Sequence, residues 1–321
     1  MLTIEILAGG IQTTVQDLGR TGYRAAGVPL SGAMDRLALA AANLLVGNDR
    51  GAACLETLLG GLALRFLRPC VISVTGGDLQ PEVDGAPLGA WAAARVEQGA
   101  VLAFAGRRGG ARAYLAVAGG LLVPRVLHSA STYLPGGWGG YHGRALHAGD
   151  LLETGANGRG KSNVDRWLPP EHRPGYSSFP TLQCVAGPHQ ALFPPETLAT
   201  FFGRSYTLSP ASDRMGYRLA GPTLHAAASA NLASAGVLPG TVQVPPHGQP
   251  ILLMADAQST GGYPIIATVI GADLPLAAQL LPGDRVRFRA VSVSEAVAAA
   301  RRQHAVLVAI GDEAFFFLFP V

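Results

Sequence analysis

The sequence predicts a mainly β fold with a few helices, and three observations support this prediction. The 321 residues include 42 glycines and 23 prolines, which are spread over many short turns rather than gathered in one block. Three segments, starting at Arg95, Arg144 and Ala278, each read as a strand, a tight glycine turn and a second, alternating strand. Helix signals are few. Many short strands joined by turns are typical of β-rich architectures.

Three helices are predicted from the residues that begin and end them. Ser31 can cap a helix that runs to about Val46, with Asp35 in its first turn, where the helix dipole favours a carboxylate. A short helix can begin at Pro195. Ser292 and Glu295 form a capping box for a helix that runs to about Gln303.

A six-residue echo suggests that the chain has two related halves. The sequence GYRAAG at 22–27 returns as GYRLAG at 216–221, each time with an aspartate shortly upstream and a proline shortly downstream. A duplication explains this match, and chance is the alternative. The stretch 156–180 is rich in glycine, proline and polar residues. We therefore predict an N-terminal half at 1–155, a linker at 156–180 and a C-terminal half at 181–321.

Charge and cysteine content argue against several protein classes. The net charge is only +3 and the arginines form no basic run, so we expect no nucleic-acid partner. The three cysteines contain no CxxC pair, which predicts free thiols in a reducing cytoplasm and no metal site. The N-terminus reads as a strand, and the apolar run at 314–321 is too short to span a bilayer. We expect a cytoplasmic protein with no membrane partner.

One segment matches a nucleotide-binding pattern. Residues Gly155 to Ser162 fit GxxxxGK[ST], whose backbone N–H groups cradle phosphates when a sustained helix follows. Here prolines at 169, 170 and 174 leave too little room for that helix. We interpret the segment as part of the linker and do not expect ATP to bind to it.

Ordered motifs in both halves resemble one known family. They begin with TTVQDLGRTGYRAAGVPLSGAMD at Thr13, and continue with NLLVGN at Asn43, LETLLGG at Leu55, SDRMGYRLAGP at Ser212, GVLPGTVQVPPHGQPILL at Gly236, DAQSTGGYP at Asp256 and AQLLPGDRVRF at Ala278. Together they resemble the family called allophanate hydrolase subunit 2, KipA or biotin-dependent carboxyltransferase. The resemblance covers nearly the whole chain and implies two related cyclophilin-like β-barrel halves.

The resemblance also implies an activity and partners. Free-standing chains of this length resemble the C subunit of 5-oxoprolinase, which is expected to act with a KipI-like B subunit plus an A subunit, opening 5-oxoproline to glutamate while the complex consumes ATP. One alternative is carboxyl transfer from a carboxybiotin partner to urea or a related amide. Biotin would then be attached to the partner, because this chain has one lysine, Lys161, and no biotin-attachment sequence. The other alternative is a non-catalytic, KipA-like regulator that binds a KipI-like protein.

The candidate site residues are those whose chemistry suits a small lactam or amide. Such a substrate needs a base or orienting carboxylate, amide groups that do not titrate, and arginines for a carboxylate or phosphate. Several have structural alternatives: Ser31 as a cap, Asp17 as a turn brace, Glu56 as the partner of an arginine. The catalytic candidates are Asp256, Gln258, Asp17 and Asp78; the substrate-binding candidates are Gln16, Arg20, Arg24, Ser31, Asp35, Glu56, Arg214, Gln243, Thr260 and Tyr263.

Overall fold

The computed structural model describes residues 1–156, 164, 166–226 and 232–311. Their contacts divide into two compact units, and neither is continuous in sequence. Unit 1 comprises the described parts of 1–20, 31–174 and 303–311, and unit 2 comprises those of 21–30 and 175–302. The boundaries at 155/156 and 180/181 stay predictions. Most of the nucleotide-binding pattern, from 157 onwards, lies outside the described residues.

The elements of unit 1 are short strands, one complete helix and residues 303–311 of a helix that begins in unit 2. The complete helix is α1 (Arg36–Leu45). Its strands are β1 (Leu2–Gly9), β2 (Gln12–Gln16), β3 (Cys54–Leu58), β4 (Leu62–Phe66), β5 (Cys70–Asp78), β6 (Pro81–Val83), β7 (Ala86–Pro87), β8 (Ala93–Val96), β9 (Val101–Phe104), β10 (Gly109–Val117), β11 (Leu121–Leu122) and β12 (Leu151–Thr154).

Two sheets enclose the core of unit 1. One has the order β11-β12-β1-β4-β9-β6-β7 and the other has the order β2-β3-β10-β5-β8. Apolar residues of both sheets, among them Ile4, Leu64, Ile72 and Leu115, are buried in one cluster. This burial of side chains from two facing sheets follows from the alternation of strand residues between the two faces of a sheet.

Unit 2 contains a closed barrel, so the mainly β fold with a barrel is confirmed. The barrel order is β13-β20-β17-β18-β15-β14-β21, with β16 and β19 paired separately. The Phe201 ring stacks on Phe288 at 4.7 Å between centroids, next to Tyr206. The strands are β13 (Thr181–Ala186), β14 (Ser205–Leu208), β15 (Gly216–Ala220), β16 (Ala235–Gly236), β17 (Thr241–Gln243), β18 (Ile251–Leu253), β19 (Thr260–Gly261), β20 (Ile265–Val269) and β21 (Arg285–Ala290). The helices are α2 (Pro195–Gly203), α3 (Leu274–Ala278) and the first part of α4 (Val293–Gly311), whose residues 303–311 belong to unit 1.

Two of the three predicted helices begin where the sequence places them. Helix α2 begins at Pro195. Helix α4 follows the capping box, in which the Ser292 N–H donates to Glu295 Oε2 at 2.7 Å and the Glu295 N–H donates to Ser292 Oγ at 3.2 Å. It runs on to Gly311, beyond the predicted end.

The predicted start of α1 is wrong. Asp35, and not Ser31, is its N-cap, because Asp35 Oδ1 accepts the Ala38 N–H at 2.9 Å. Ser31 has a φ of 53°, in the left-handed region, and its buried Oγ has no hydrogen-bond partner among the described residues. The chain therefore turns at Ser31 and enters the helix only after Asp35.

We expect Asp35→Ala to lower the free energy of unfolding by about 1–2 kcal/mol, because the Ala38 N–H loses its acceptor. Asp35→Asn keeps an oxygen at the cap and should cost less. Ser31→Ala removes no hydrogen bond between described residues and is the matched control. Urea denaturation of the three variants measures these differences. Equal losses in Asp35→Ala and Ser31→Ala would contradict the assignment of the cap.

The strand-turn-strand patterns are correct only in part. The segment at Arg95 forms β8, a turn and β9. The segment at Arg144 contributes only β12, and the one at Ala278 begins at the end of α3 and contributes only β21. The GYR echo also differs in structure, since 24–26 is a 3-10 turn and 216–220 is a strand. Local sequence likeness here does not impose the same backbone, because the tertiary partners differ.

Among the described residues, no helix has both the length and the apolar character needed to cross a membrane.

Candidate functional site

A cavity of about 270 Å³ in unit 2 is the candidate functional site. Hydrophobic side chains such as Ile251 and Leu253 form part of its lining. Six of the eleven lining residues are polar, so the cavity suits a small polar molecule. The polar residues that line it are Asp213, Arg218, Gln243, His247, Gln258 and Tyr263.

Three neighbouring strands place the central residues of this cavity. Arg218 on β15 and Gln243 on β17 are both register partners of Ile251 on β18, which lies between them. Register partners of adjacent strands project to the same face of a sheet. The next residues along these strands, including Tyr217 and Leu252, are buried on the other face. The alternation therefore puts an arginine and an amide on the same face, at the cavity.

The Gln243 side chain is a buried donor at the cavity wall. It is 1% exposed, and its Nε2 has no hydrogen-bond partner among the described residues. A buried amide without a partner is costly, by about 1–3 kcal/mol. The amide packs closely against β19, since a Cβ on Gly261 would lie 2.5 Å from Nε2. Gln243, a predicted substrate-binding residue, can therefore offer this N–H to a ligand.

His247 enters the cavity lining from the loop between β17 and β18. Its Nδ1 accepts the N–H of Gln249 at 3.2 Å. The Gln249 side chain in turn binds both backbone groups of Gly221, accepting its N–H at 2.8 Å and donating to its carbonyl at 3.2 Å. These bonds fix the loop to the end of β15, the strand that carries Arg218.

Asp213 holds the turn that leads into β15. Its Oδ1 accepts the N–H groups of Met215 at 2.8 Å and Gly216 at 3.1 Å. Asp213 therefore braces a turn. For an aspartate that precedes Gly-Tyr-Arg, the sequence allows this structural role as an alternative to catalysis.

Arg214 and Asp256 form a buried ion pair in unit 2. Arg214 Nε donates to Asp256 Oδ2 at 2.9 Å and Nη2 donates to Oδ1 at 3.2 Å. The Asp256 side chain is 1% exposed, and neither residue belongs to the cavity lining. The guanidinium occupies both carboxylate oxygens, so the geometry favours an orienting role for Asp256.

The remaining candidates of unit 2 are Gln258, Tyr263, Arg24 and Thr260. Gln258 and Tyr263 line the cavity, and both side chains are exposed. Arg24, in the segment 21–30 of this unit, donates to the carbonyls of Val237 and Gln258. Partial burial lowers the pKa of the Arg24 guanidinium. Thr260 is exposed on β19, outside the lining.

In unit 1, Asp17 is a hydrogen-bond hub. Its two carboxylate oxygens accept the N–H groups of Gly19 and Ala130, each at 2.7 Å, and the hydroxyls of Ser129 and Ser131. This network of backbone and hydroxyl donors gives Asp17 a structural role in holding the segments 17–19 and 129–131 together.

The two predicted residues that flank this hub are also buried. Gln16 donates to Thr14 Oγ1 and to the Thr132 carbonyl, and its buried Oε1 has no partner among the described residues. Arg20 donates to the Ser131 carbonyl and lies over the Trp138 ring at 4.3 Å. Both side chains thus bind the same segment of unit 1 as Asp17.

Glu56 and Asp35 meet at the buried hydroxyl of Tyr114. That hydroxyl accepts the Asp35 N–H at 2.8 Å and donates to Glu56 Oε2 at 2.7 Å. Burial, followed by the two nearby carboxylates, raises the pKa of Tyr114 well above its ordinary value. Glu56 Oε1 also lies 3.9 Å from Arg112 Nε. This contact is the pairing with an arginine that the sequence offers as a structural role for Glu56.

Asp78 lies at the half-exposed end of β5. Its Oδ1 accepts the Gln80 N–H at 3.0 Å, and Oδ2 is 3.7 Å from Arg108 Nη1. The predicted residues thus divide between the two units. In unit 2 the cavity gathers Gln243, Gln258 and Tyr263, and in unit 1 hydrogen bonds link Asp35 to Glu56 through Tyr114.

Residues 26–290 match a family model described as "Carboxyltransferase domain, subdomain A and B". The chain belongs to this carboxyltransferase-domain family. The resemblance drawn from the ordered motifs is therefore confirmed.

Relatives of two kinds match almost the whole chain. Proteins named as the C subunit of 5-oxoprolinase are 39% identical in Haemophilus influenzae and 40% identical in Escherichia coli; the alignments cover 93% and 94% of this chain and 94% and 95% of the relatives. The solved structure of Kluyveromyces lactis urea amidolyase matches 96% of this chain with a TM-score of 0.91 and 31% identity. This chain spans only 20% of that protein. The urea carboxylase structure from the same yeast has the same TM-score and identity, over 97% of this chain and 29% of its own.

Two polar cavity residues of this carboxyltransferase-domain chain, Asp213 and His247, are missing from the sequence-based candidates, whereas Arg218 is one of the arginines whose chemistry suits a carboxylate or phosphate. Arg218 and His247 line the cavity beside Gln243. The register of β15 and β18 brings Arg218 there, and no spacing along the chain shows that pairing. The signal for His247 is the run PPHGQP directly after the Gln243 strand. Among the described residues, no group of three His, Cys, Asp or Glu side chains could hold a metal ion.

Proposed function

We propose that this chain is the C subunit of an ATP-dependent 5-oxoprolinase, which opens the lactam of 5-oxo-L-proline to L-glutamate together with its A and B subunits. The observation that carries the proposal is the match to proteins that bear this C-subunit name. It extends over nearly the full length of both chains.

The unit 2 cavity has groups that suit such a substrate. 5-Oxoproline carries a carboxylate and a lactam whose carbonyl oxygen gains negative charge when a nucleophile adds. The Arg218 guanidinium suits the carboxylate, because it offers paired N–H donors. Gln243 Nε2, a neutral donor without a partner in the described part of the chain, suits the lactam oxygen. We assign Arg218 and Gln243 to substrate binding, and we assign Asp256 a structural role in the ion pair with Arg214.

The partners complete the reaction in this proposal. We place ATP on one of the other two subunits and expect none on the segment 155–162. The chain is then inactive alone, and a KipI-like B subunit is its direct partner. We place the complex in the cytoplasm, since all three cysteines are free thiols.

A second function has its own support. The TM-score of 0.91 with urea carboxylase favours a carboxyltransferase component, which would act on urea or a related amide with biotin carried by a partner. The same arginine and amide donors would suit a carboxylate-bearing intermediate.

Reconstitution with the A and B subunits tests these functions. We expect ATP-dependent glutamate release from 5-oxoproline that requires all three chains. Turnover that avidin blocks would support carboxyl transfer instead. Tight binding to the B subunit with no turnover on either substrate would indicate a KipA-like regulator and contradict the proposal.

Two adjacent glycines supply a matched test of the cavity. We expect Gly261→Ala to lower kcat/KM roughly 10-fold or more in the complex, because the new Cβ would lie 2.5 Å from Gln243 Nε2 and displace that donor. Gly262→Ala is the control, since its Cβ would meet its nearest atom, the Leu232 carbonyl oxygen, at 3.4 Å. Steady-state kinetics with equal amounts of folded protein measure the difference. Equal activity of the two variants would contradict the assignment of Gln243 to substrate binding.

A further inference from the structure

The loop that carries His247 is a tight, fixed turn. The Gly248 N–H donates to the Pro245 carbonyl at 2.8 Å and closes it. Gly248 has a φ of 76°, and a Cβ there would lie 2.3 Å from Thr223 Cγ2, so the turn requires glycine. The two bonds from the Gln249 side chain to Gly221 hold the turn against the end of β15. The imidazole therefore stands on a rigid support at the cavity.

One hydrogen bond decides which nitrogen of His247 carries the proton in the neutral ring. The Gln249 backbone N–H is a permanent donor, and it points at Nδ1 at 3.2 Å. Nδ1 must then present its lone pair, so the neutral ring has its proton on Nε2. The neutral form of His247 is thus a donor through Nε2, the nitrogen that the turn leaves available to a ligand.

We propose that His247 donates its Nε2–H to the carbonyl oxygen of the lactam or amide substrate, beside the donor of Gln243. This inference rests on the proposed function and adds a residue to it. Both side chains line the same cavity of about 270 Å³, so one small substrate can contact both. Arg218 supplies the positive charge for the substrate carboxylate, which leaves the two neutral donors for the carbonyl. Fixed neutral donors stabilise the charge that develops on that oxygen in the transition state.

Two substitutions separate the two nitrogens of the ring. In His247→Asn the amide oxygen can still accept the Gln249 N–H, as Nδ1 does, but the distal donor is lost. In His247→Gln the longer side chain places an amide N–H near the position of Nε2. We expect His247→Asn to lower kcat about 100-fold with an unchanged melting temperature, and His247→Gln to recover part of that loss.

His189 is the matched control, because its Nδ1 accepts the Ile265 N–H at 3.1 Å in the same unit but the residue does not line the cavity. His189→Asn should leave kcat and KM unchanged. Nitrogen-15 NMR of the free wild-type chain reports the tautomer of His247. The His247 signals are identified by their loss in the His247→Asn spectrum, and they should show the proton on Nε2. A wild-type complex that releases no glutamate contradicts the proposed function. An active wild type matched by His247→Asn, or a ring protonated on Nδ1 alone, overturns the role of His247 only.

Discussion

Replacing Asp256 by alanine is expected to lower the free energy of unfolding by about 3–5 kcal/mol, the usual cost of breaking a buried ion pair. The carboxylate is 1% exposed and binds Arg214 through both oxygens, at 2.9 Å and 3.2 Å. Removal of the carboxylate takes an ion-pair partner from the buried guanidinium, and the desolvation of that charge is what makes the loss large. Urea denaturation followed by circular dichroism measures the loss.

A double variant separates the ion pair from other effects at this position. Arg214→Met together with Asp256→Leu removes both charges and leaves apolar groups of similar size, so we expect it to lose less stability than Asp256→Ala alone. Asp256→Asn tests the catalytic interpretation of the sequence. If that variant keeps wild-type stability while the reconstituted complex loses turnover, Asp256 contacts the substrate and the structural role is refuted.

Local chemistry explains what the sequence predicted well. The signals that worked act over only a few residues: turn residues, strand alternation and the capping box of Ser292 and Glu295. They therefore predict the β-rich class and the starts of α4 and α2. The start of α1 fails although it is also local. Ser31 and Asp35 are both good caps in isolation, and the left-handed backbone at Ser31 selects Asp35.

The site was harder to predict because its contacts join distant parts of the chain. Asp17, Asp78 and Asp256 look alike in sequence, each an aspartate at the end of a strand or beside a glycine. Asp256 is paired with an arginine 42 positions away, and Asp17 with hydroxyls 112 and 114 positions away. Gln243 and His247 lie in the same motif, but only the amide of Gln243 was selected from it, and the place of His247 beside that amide is seen only in the cavity.

Asp17→Ala is expected to destabilise unit 1 by about 3–5 kcal/mol, because each buried group left without a partner costs about 1–3 kcal/mol. The carboxylate accepts bonds from two backbone N–H groups and two hydroxyls, and its loss leaves the N–H groups of Gly19 and Ala130 without an acceptor. The hydroxyls of Ser129 and Ser131 can turn to other partners. Asp17→Asn should lose less, because one oxygen remains to accept.

Asp78→Ala is the matched control, since the sequence predicts the same catalytic role for both aspartates. Asp78 is half exposed, with one backbone bond and an arginine at 3.7 Å, so its removal should change the free energy of unfolding by no more than about 1 kcal/mol. All three tryptophans, Trp91, Trp138 and Trp167, lie in unit 1, so their fluorescence reports its unfolding in urea. Equal stability losses in Asp17→Ala and Asp78→Ala would refute the hub, and a stable Asp17→Ala chain that forms an inactive complex would make Asp17 catalytic.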